Sequence, residues 1–470
     1  MVRLVHWYDQ LLHARHTMRR SRKHDGRMVV DVPPEPIRRG ALVDLVLRNA
    51  RLVDTPTLVD VVVERETITA VTPAADAASA VRATDPAVRV VDCAGRVVVP
   101  GLVEAHLHVD KALLDRERPN PDGTLAGAIS VTGELKRGFT HTGVRDRART
   151  LLDQAITNGT TLVRAHPDVD PIVGLIGVEV LLGLRDEYRD ALDLQIVAFP
   201  QEGIRKAPGT LELLREALRI GADVIGGCSY NEVSLADCHA HVETVLDLAE
   251  EFGVPADVHA DFADDTSDPR FALAGYVADA VAARGLHGRV ALGHMTSTAS
   301  LPSVERADLF ARLAAADVAV VPLPATDLHL GGRRDDADVR RGVVPVRELW
   351  DAGVTAAYSS NNVRNAFTPF GNADMLDVGL LLAQVGHLSG PEDLARVLAM
   401  ATTGAARVVG IANRYGIRPG ADADLVVLST TDPTGVLLDR PDRNLVVKRG
   451  RVVAETTRTT TIHTEELSHA

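Results

Sequence analysis

Residues 101–412 alternate short apolar runs with amphipathic helical patterns, and this alternation restricts the fold more than any other feature of the sequence. Short apolar runs separated by helices predict βα units, and a series of such units predicts a parallel sheet. The candidate strands end near His108, His166, Pro200, Gly227, His259, His294, Pro322 and Ser360. Helical patterns between them include residues 211–219, 241–251 and 307–315. Eight such units predict an α/β fold, a (β/α)8 TIM-type barrel, whose chemistry lies at the carboxyl ends of its strands.

Short β-rich runs lie on both sides of the predicted barrel. The first group lies at residues 44–48, 61–63, 88–91 and 96–99, and the second at 424–428, 444–448 and 451–453. Gly, Asp and Pro residues separate the runs of the first group, as is typical of short strands joined by turns. We predict that the two groups pair into one small β-sandwich built from both ends of the chain.

These patterns also predict the domain organisation. The β-sandwich is assigned to residues 41–100 plus 413–456 and the barrel to residues 101–412. Residues 1–40 carry a basic run and a proline-rich breaker, without the apolar segment of a secretory signal. They are predicted to be a disordered leader or the product of a start codon assigned too far upstream, with an arm for oligomer contacts as the alternative. Residues 457–470 are predicted to be a tail.

Composition and charge exclude several functional classes. The net charge is −13, whereas a nucleic-acid-binding protein needs a basic surface. The three cysteines show no C-x-x-C spacing, which argues against a disulfide framework or a thiolate zinc site and fits a reducing cytoplasm. No apolar run reaches the roughly 18–20 residues of a membrane span. The expected partner is a small-molecule substrate, not a nucleic acid or a membrane, and the expected location is the cytoplasm.

The first predicted barrel strand ends in two histidines, His106 and His108. Residues i and i+2 of a strand point to the same face, so both imidazoles can aim at one point. His259 and His294 end two other predicted strands at the same end of the barrel. A single histidine on an apolar strand is more often a packed side chain than a ligand, but several at one barrel end predict a divalent metal site. His106, His108 and His259 are the predicted ligands.

Such a site has a characteristic chemistry. A divalent ion held by imidazoles lowers the pKa of its bound water to about 7 and so supplies hydroxide at neutral pH. Hydroxide suits attack on the carbon of an amide, amidine or iminyl C–N bond. Hydrolysis also needs a proton acceptor for the water and a proton donor for the leaving amine. His166 ends the second predicted strand and is a further ligand candidate, although a supporting role beside the ligands is favoured.

An ordered series of motifs resembles the amidohydrolase superfamily, and within it the cytosine deaminase-like branch. The resemblance spans about residues 43–455. Its motifs are Pro-Gly-Leu-Val-Glu-Ala-His-Leu-His-Val-Asp-Lys at 100–111, Val-Ala-Phe-Pro-Gln-Glu-Gly at 197–203, Asp-Val-His at 257–259, Leu-Gly-His at 292–294, His-Leu-Gly-Gly-Arg at 329–333, Pro-Phe-Gly-Asn at 369–372 and Gly-Ile-Arg-Pro-Gly-Ala-Asp-Ala-Asp-Leu at 416–425. An isolated H-x-H motif is a weak signal, whereas this ordered series is specific.

The resemblance implies one divalent metal ion, zinc or iron, with manganese as a further option. In the family, the residues matching His106, His108 and His259 hold the ion. The match to His294 hydrogen-bonds the metal-bound water or the substituent of the attacked carbon. No lysine ends the fourth predicted strand, at residues 227–232, so a two-metal site with a carbamylated lysine is not implied.

The resemblance also extends to substrate contacts and assembly. The match to Gln201 reads the amide edge of the substrate ring, and the motif at 329–333 adds His329 as a candidate for substrate binding. Family members are commonly oligomeric, so a homo-oligomer is expected. The charged run at 333–336 predicts a salt-bridged loop over the barrel mouth, with binding of an anionic substrate as the alternative.

Two positions depart from the family pattern. The family carries an Asp after strand 8 that binds the metal and takes the proton of the water, and Asn361 stands in its place. An amide oxygen can ligate a metal weakly, but Asn cannot accept a proton at neutral pH. The family also carries a proton-transferring Glu three residues after the strand-5 histidine, and Phe262 stands there. Both replacements argue against cytosine deamination by the family mechanism, and Asn361 is assigned to substrate binding.

Other groups are candidates for the proton transfer. Asp261 lies two residues after His259 and shares its face if the strand is still regular, so it is the predicted catalytic partner of His294. Alternative carboxylates at strand ends are Glu232, Asp327 and Asp168. His294 could itself be the base. A substrate with a better leaving group than ammonia would reduce the need for a strong general acid.

These patterns together predict a metal-dependent hydrolase of a C–N bond, of the deaminase or amidohydrolase type. Its substrate is expected to be small, polar and cyclic or carbamoyl-like, and its proton relay altered. The alternative is a catalytically silent barrel that binds a small molecule or supports a partner protein. The missing carboxylates favour the silent barrel, whereas the retained histidines and Gln201 favour the enzyme.

Overall fold

The computed structural model describes residues 23–24, 27–28, 44–74 and 88–462. By their contacts the residues divide into Met1–Gly40 and a body, Ala41–Ala470. In the first unit the described residues are two short antiparallel strands, Lys23–His24 (β1) and Arg27–Met28 (β2). The rest of the leader predicted for residues 1–40, and residues 463–470 of the predicted tail, lie outside the described residues.

The body contains strands and helices throughout its described length. Its strands are Asp44–Ala50 (β3), Val59–Glu64 (β4), Thr67–Pro73 (β5), Val88–Asp92 (β6), Val98–Pro100 (β7), Leu102–Leu107 (β8), Thr160–Ala165 (β9), Asp193–Ala198 (β10), Val224–Cys228 (β11), Ala256–Ala260 (β12), Val290–His294 (β13), Ala319–Val321 (β14), Leu425–Leu428 (β15), Arg443–Lys448 (β16) and Arg451–Glu455 (β17). Its α-helices are Leu125–Leu135, His141–Thr157, Ile176–Tyr188, Thr210–Ile220, Leu235–Phe252, Ala274–Arg284, Ser303–Ala315, Pro324–Leu330, Val346–Asp351, Met375–Val385, Pro391–Met400, Thr403–Val408 and Val436–Asp439. Short 3-10 helices lie at Lys136–Gly138, Ser229–Asn231, Pro269–Phe271, Thr296–Ser300 and Ala412–Arg414.

Strands β8–β14 form one parallel sheet in which chain order equals spatial order. The two edges of this sheet are joined through residues 355–361. On the β14 side Val320 N donates to Thr355 O at 2.9 Å, and on the β8 side Asn361 N donates to His106 O at 3.0 Å. The sheet therefore closes into a TIM-type barrel with helices between its strands, which confirms the predicted fold class.

The predicted eighth strand, ending near Ser360, differs from the observed segment. Among the described residues this segment makes isolated bridges, Val320↔Ala356 and Leu107↔Asn361, and no regular ladder. Side chains supplement these backbone contacts: His106 N donates to Ser359 Oγ at 2.7 Å, and the hydroxyls of Ser359 and Ser360 donate to the Glu104 carboxylate. We call Glu104, Ser359 and Ser360 the serine clasp. It adds hydroxyl–carboxylate hydrogen bonds to the backbone hydrogen bonds that close the barrel.

The small sheets come from both ends of the described body. Strands β5, β4, β3 and β6 form one sheet in that order, and β17, β16, β15 and β7 form the other. Strand β7, from the first β-rich segment, pairs antiparallel with β15, so that Val99 lies opposite Val426. The two sheets share one buried core, which includes Leu47, Val61 and Leu445. The β-sandwich predicted from both chain ends is confirmed, and strand β5 is an addition that the sequence patterns missed.

The helices pack apolar faces onto the barrel. Helix Leu235–Phe252 begins after Ser234, whose hydroxyl accepts from Asp237 N, and ends at Gly253 with φ of 68°. Its buried Val242, Val245 and Ala249 recur at helical spacing. Across the described part of the chain, no helix combines the length and apolarity needed to cross a bilayer.

Candidate metal centre

Three histidine side chains meet at the carboxyl ends of two barrel strands. His106 lies on β8, His108 follows its end, and His259 lies on β12. One ring nitrogen from each lies within 4.8 Å of the other two, and the Nε2 atoms of His106 and His259 are 2.6 Å apart. All three side chains are buried. The fold therefore brings the predicted ligand set together, close enough for the nitrogens to share one ion.

Burial keeps these imidazoles neutral, which is the form that ligates metals. Desolvation lowers the pKa of His106 to about 3 and holds the pKa of His108 and His259 well below the usual value. His108 Nδ1 lies 2.9 Å from the carbonyl oxygen of His166, which can only accept, so Nδ1 carries the proton and Nε2 keeps its lone pair. His106 Nδ1 lies 3.2 Å from Asp257 Oδ1, which favours the same tautomer.

A buried carboxylate, Asp257, supports the centre from inside the barrel. Its Oδ1 lies 3.2 Å from His106 Nδ1 and 3.3 Å from His166 Nε2. Its Oδ2 accepts a hydrogen bond from Arg164 at 3.2 Å. Although burial acts to raise the pKa of Asp257, His166 and His106 bring it well below its usual value. The ring of His166 stacks on that of His106 with centroids 3.6 Å apart, so His166 packs against a predicted ligand and helps to fix the position of its ring.

Asn361 lies beside His106 and His108. Its backbone N–H donates to His106 O at 3.0 Å, and its carbonyl accepts from His108 N at 2.8 Å. Its side-chain Oδ1 is buried and has no hydrogen-bond donor among the residues that the structure describes. A buried oxygen without a donor, on a residue whose backbone bonds to two candidate ligands, is an atom that a divalent cation can satisfy. The three converging imidazoles fit a single divalent ion, and the amide oxygen of Asn361 is a candidate fourth ligand.

A histidine–carboxylate pair adjoins the ligands. His294 Nδ1 lies 2.6 Å from Asp327 Oδ1, and Asp327 Oδ2 accepts from Leu323 N at 2.9 Å. The rings of His294 and His259 lie 4.7 Å apart, and the ring of Phe262 stacks on His294 at 3.9 Å. Burial raises the pKa of Asp327, although His294 opposes this effect. Because Nδ1 of His294 is taken by Asp327, Nε2 is the nitrogen left for chemistry.

Asp261 has an environment that its spacing from His259 did not predict. Its φ is 53°, in the left-handed region, so the alternation of a strand no longer applies at this position. Its Oδ1 accepts from Leu273 N at 2.7 Å and its Oδ2 from Ala274 N at 3.1 Å, at the start of a helix. Burial raises its pKa to about 6. Both carboxylate oxygens are therefore used to cap a helix.

The other alternative carboxylates are engaged elsewhere. Glu232 accepts from the backbone N–H groups of residues 204–206 and lies 2.8 Å from His241 Nδ1. Asp168 pairs with Lys111 at 2.5 Å and with Lys136 at 3.4 Å. Among the alternatives, Asp327 is the carboxylate that contacts His294.

Gln201 lies close to the histidines, beside a buried lysine. Lys111 Nζ donates to Gln201 Oε1 at 3.3 Å, and Gln201 Nε2 lies 3.7 Å from Cys228 Sγ. The ring of Phe199 is 5.6 Å from Lys111 Nζ and 4.4 Å from the ring of His259. Because the lysine holds the amide oxygen, the NH₂ group is the part of Gln201 that can donate to a substrate.

His329 lies further out, at the barrel mouth. It is half-buried on helix Pro324–Leu330, and a terminal nitrogen of Arg333 lies 3.3 Å from its Nδ1. Burial and the Arg333 charge lower its pKa. It lines a cavity of about 390 Å³ together with Asp115 and Asn120, and none of the four strand-end histidines lines that cavity. Any substrate contact of His329 would therefore be made at the barrel mouth and not at the metal centre.

Comparison with known families identifies the chain. A model described as "Amidohydrolase family" matches residues 89–454. The chain belongs to the amidohydrolase family. It is a hydrolase that acts on C–N bonds other than peptide bonds, which confirms the resemblance seen in the sequence.

Several individual proteins are similar to this amidohydrolase over most of their length. N-isopropylammelide isopropyl amidohydrolase of Pseudomonas sp. (strain ADP) is 29% identical over 374 residues, which are 78% of this chain and 88% of the relative. The crystal structure of 5-methylcytosine deaminase from Klebsiella pneumoniae liganded with 5-fluorocytosine has a TM-score of 0.83 at 29% identity and covers 89% of this chain and 99% of its own. N-isopropylammelide isopropylaminohydrolase from Burkholderia multivorans has a TM-score of 0.76 at 30% identity, with 88% and 98% covered.

Two side chains of this amidohydrolase centre were missed by sequence reasoning. Asp257 lies two residues before His259, and Arg164 lies two residues before His166. In both strands the alternation that places the histidine inside the barrel also places its i−2 neighbour there. A polar residue two positions before a strand-end histidine was the available signal.

Proposed function

We propose that this amidohydrolase uses one divalent metal ion, held by His106, His108 and His259, to hydrolyse a C–N bond. The observation that carries the proposal is the convergence of three neutral imidazoles at the carboxyl ends of barrel strands, two of them on residues whose backbones hydrogen-bond to Asn361. Zinc and iron are the proposed ions, with manganese as a further option. A small polar substrate, cyclic or carbamoyl-like, fits the names of the relatives, which include a pterin deaminase of Rhizobium rhizogenes.

The proton steps are assigned to His294 and Asp327. A bound ion of this kind supplies hydroxide at neutral pH. His294 Nε2 accepts the proton of the attacking water, because Nδ1 is held by Asp327. The Asp327 carboxylate stabilises the imidazolium that forms and fixes the ring. The same proton then passes to the leaving nitrogen, and the NH₂ group of Gln201 donates to a substrate oxygen.

In this assignment Asp327 takes over the role of the two family carboxylates that are absent at Asn361 and Phe262. The assignment therefore favours an enzyme over a silent barrel. Two variants of the zinc-loaded protein test it. Asp327→Asn is expected to reduce turnover by about 10²-fold or more at unchanged zinc content, since general acid–base catalysis contributes about 10²–10⁴-fold. Asp261→Asn is expected to lower the thermal midpoint instead, because it weakens a helix cap.

Ammonia or amine release is measured on a panel of cytosine, pterin and N-isopropylammelide. If Asp261→Asn loses turnover while Asp327→Asn retains it, the proton steps would be assigned to Asp261. A protein that cannot be loaded with zinc, iron or manganese would contradict the proposed metal centre itself.

A further inference from the structure

A chamber of about 420 Å³ adjoins His294 through the ring of Phe262, and none of the four strand-end histidines lines it. Its walls include the aromatic side chains of Tyr230, Phe262 and Phe271. The rings of Tyr230 and Phe271 are stacked, with centroids 5.6 Å apart and planes at 28°. Phe262 lines the chamber and also stacks on His294 at 3.9 Å with planes at 11°. The chamber and the site of proton transfer therefore share one aromatic wall.

The chamber is also lined by arginines, and one of them has no ion-pair partner among the described residues, although, in addition to hydrogen bonds, its charge helps to lower the pKa of Asp122. Three arginines line it, and two of them are paired: Arg270 lies 2.6 Å from Asp268, and Arg334 lies 3.7 Å from Asp264. Arg333 forms no ion pair with a carboxylate of any residue that the structure describes. Its Nε donates to His329 O at 2.7 Å and one terminal nitrogen lies 3.3 Å from His329 Nδ1, so the other terminal nitrogen is the one without an acceptor among the described residues. A guanidinium with free donors suits a planar anionic group such as a carboxylate.

Phe262 affects the leaving group as well as the shape of the chamber. A phenyl ring cannot protonate a departing nitrogen, and here it covers one face of His294. Ammonia and alkylamines are strong bases that need protonation before they leave. An arylamine is a weaker base because its nitrogen lone pair is delocalised into the ring, so its C–N bond breaks with less help from an acid. Phe262, which stands where the family pattern has an acid, thus supplies a stacking surface for an aromatic ring.

We propose that the cleaved bond joins an acyl or carbamoyl carbon to an aromatic amine, whose ring lies in the chamber and whose acidic substituent pairs with Arg333. This inference rests on the proposed function of the metal centre. The oxygen of water bonds to the carbon, and the C–N bond breaks with its electron pair going to nitrogen. The proton accepted by His294 passes to that nitrogen. The products are a carboxylic or carbamic acid and an arylamine.

Binding of the amine product tests the chamber without turnover. Calorimetry compares 4-aminobenzoate with aniline on the full-length protein, as wild type, Arg333→Gln and Arg341→Gln. Wild type is expected to bind 4-aminobenzoate about tenfold more tightly than aniline, as one charge-assisted pair allows. Arg333→Gln is expected to abolish this preference. Arg341→Gln is the matched control, because Arg341 donates to Val385 O at 3.0 Å and does not line the chamber.

Turnover tests the leaving group. The zinc-loaded wild type is given 4-formamidobenzoate, formanilide and N-cyclohexylformamide, and formate release is measured. The two aryl formamides are expected to react at least about tenfold faster than the cyclohexyl compound, which has a ring of similar size but a strongly basic amine. Equal rates for formanilide and N-cyclohexylformamide would overturn the proposal, as would an unchanged binding preference in Arg333→Gln.

The failures of the two proposals are distinguishable. Release of ammonia or amine from cytosine, pterin or N-isopropylammelide, without any reaction of the aryl formamides, would overturn the arylamine assignment and leave the proposed hydrolase intact. Binding of 4-aminobenzoate that depends on Arg333, without hydrolysis of any compound tested, would support the chamber and contradict the proposed hydrolase.

Discussion

Asp257 lies against a histidine of the proposed metal centre and can set the properties of that ligand. Its carboxylate lies 3.2 Å from His106 Nδ1 and is clamped by Arg164 on its other oxygen. Carboxylates in this position fix the tautomer of a ligating histidine and raise its basicity. Asp257→Asn should therefore weaken zinc binding by about 10–100-fold, as measured by competition with a chromophoric chelator. Asp279→Asn, at an exposed ion pair with Arg312, is the control, and equal zinc affinity in both variants would exclude the role.

The side chain of Asn361 should also affect zinc binding. Its Oδ1 is buried without a donor among the described residues, and an amide oxygen is a weaker ligand than a carboxylate. Asn361→Asp should tighten zinc binding by about tenfold or more, because the ligand then carries a negative charge. Asn362→Asp is the matched control, since Asn362 Oδ1 already accepts from Asn365 Nδ2 at 2.7 Å. If both variants bind zinc as wild type does, Asn361 does not face the ion.

The histidines of the site could be predicted residue by residue, but their carboxylate partners could not. His106, His108 and His259 follow from strand alternation and strand-end position. The partnership of His294 with Asp327 joins residues on a strand and on a separate helix, which no local spacing encodes. Asp261 has the right spacing from His259, yet its left-handed backbone turns its side chain to a helix start.

The serine clasp makes the stability of the closed barrel depend on pH. Burial raises the pKa of Glu104 to about 7, although hydrogen bonds from Ser359 and Ser360 oppose the rise. Between pH 4.5, the ordinary pKa, and about 7, the folded state holds a proton that the unfolded state has released. This contribution to the free energy of unfolding is therefore fully present below pH 4.5 and lost as pH rises through 7.

Glu104→Gln tests this pH dependence. The variant cannot ionise, so the free energy of unfolding of wild type relative to Glu104→Gln should fall by up to about 3 kcal/mol between pH 5 and pH 8. Urea denaturation at a series of pH values measures the difference. Ser360→Ala, which keeps Glu104 but removes one donor, should retain the downward slope. A constant difference across this range would show that Glu104 stays in one protonation state.

The elements themselves were largely predictable. The predicted strand ends at His166 and His294 agree with β9 and β13 to within one residue, because apolar runs bounded by polar side chains mark buried parallel strands. The segment before Asn361 carries the same apolar signal but lacks a ladder. Its two serine hydroxyls bond to a glutamate 255 and 256 residues away in the sequence, and such long-range competition for hydrogen bonds is invisible in a local pattern.

The whole molecule shows why the β-sandwich could be predicted from flanking patterns. Val98 and Leu425 lie in one core although they are far apart in the chain, since β7 and β15 pair antiparallel. Neither β-rich segment offers a complete core alone, so pairing across the barrel region was the simplest way to bury both. The lining of the barrel mouth could not be predicted from the sequence. There residues 119–123 and Arg333, which are far apart in the chain, line a common cavity.

The metal centre should stabilise the whole molecule, because its ligands come from strands on different parts of the barrel. His106 and His108 lie at β8 and His259 on β12, with three strands between them in the sheet. An ion that binds the folded state alone adds about 4 kcal/mol at a concentration 1,000 times its Kd. Chelation should therefore lower the apparent unfolding temperature by several degrees, and added zinc should restore it, as measured by scanning calorimetry. His106→Ala should show neither response, and a wild-type midpoint indifferent to zinc would contradict a shared ion.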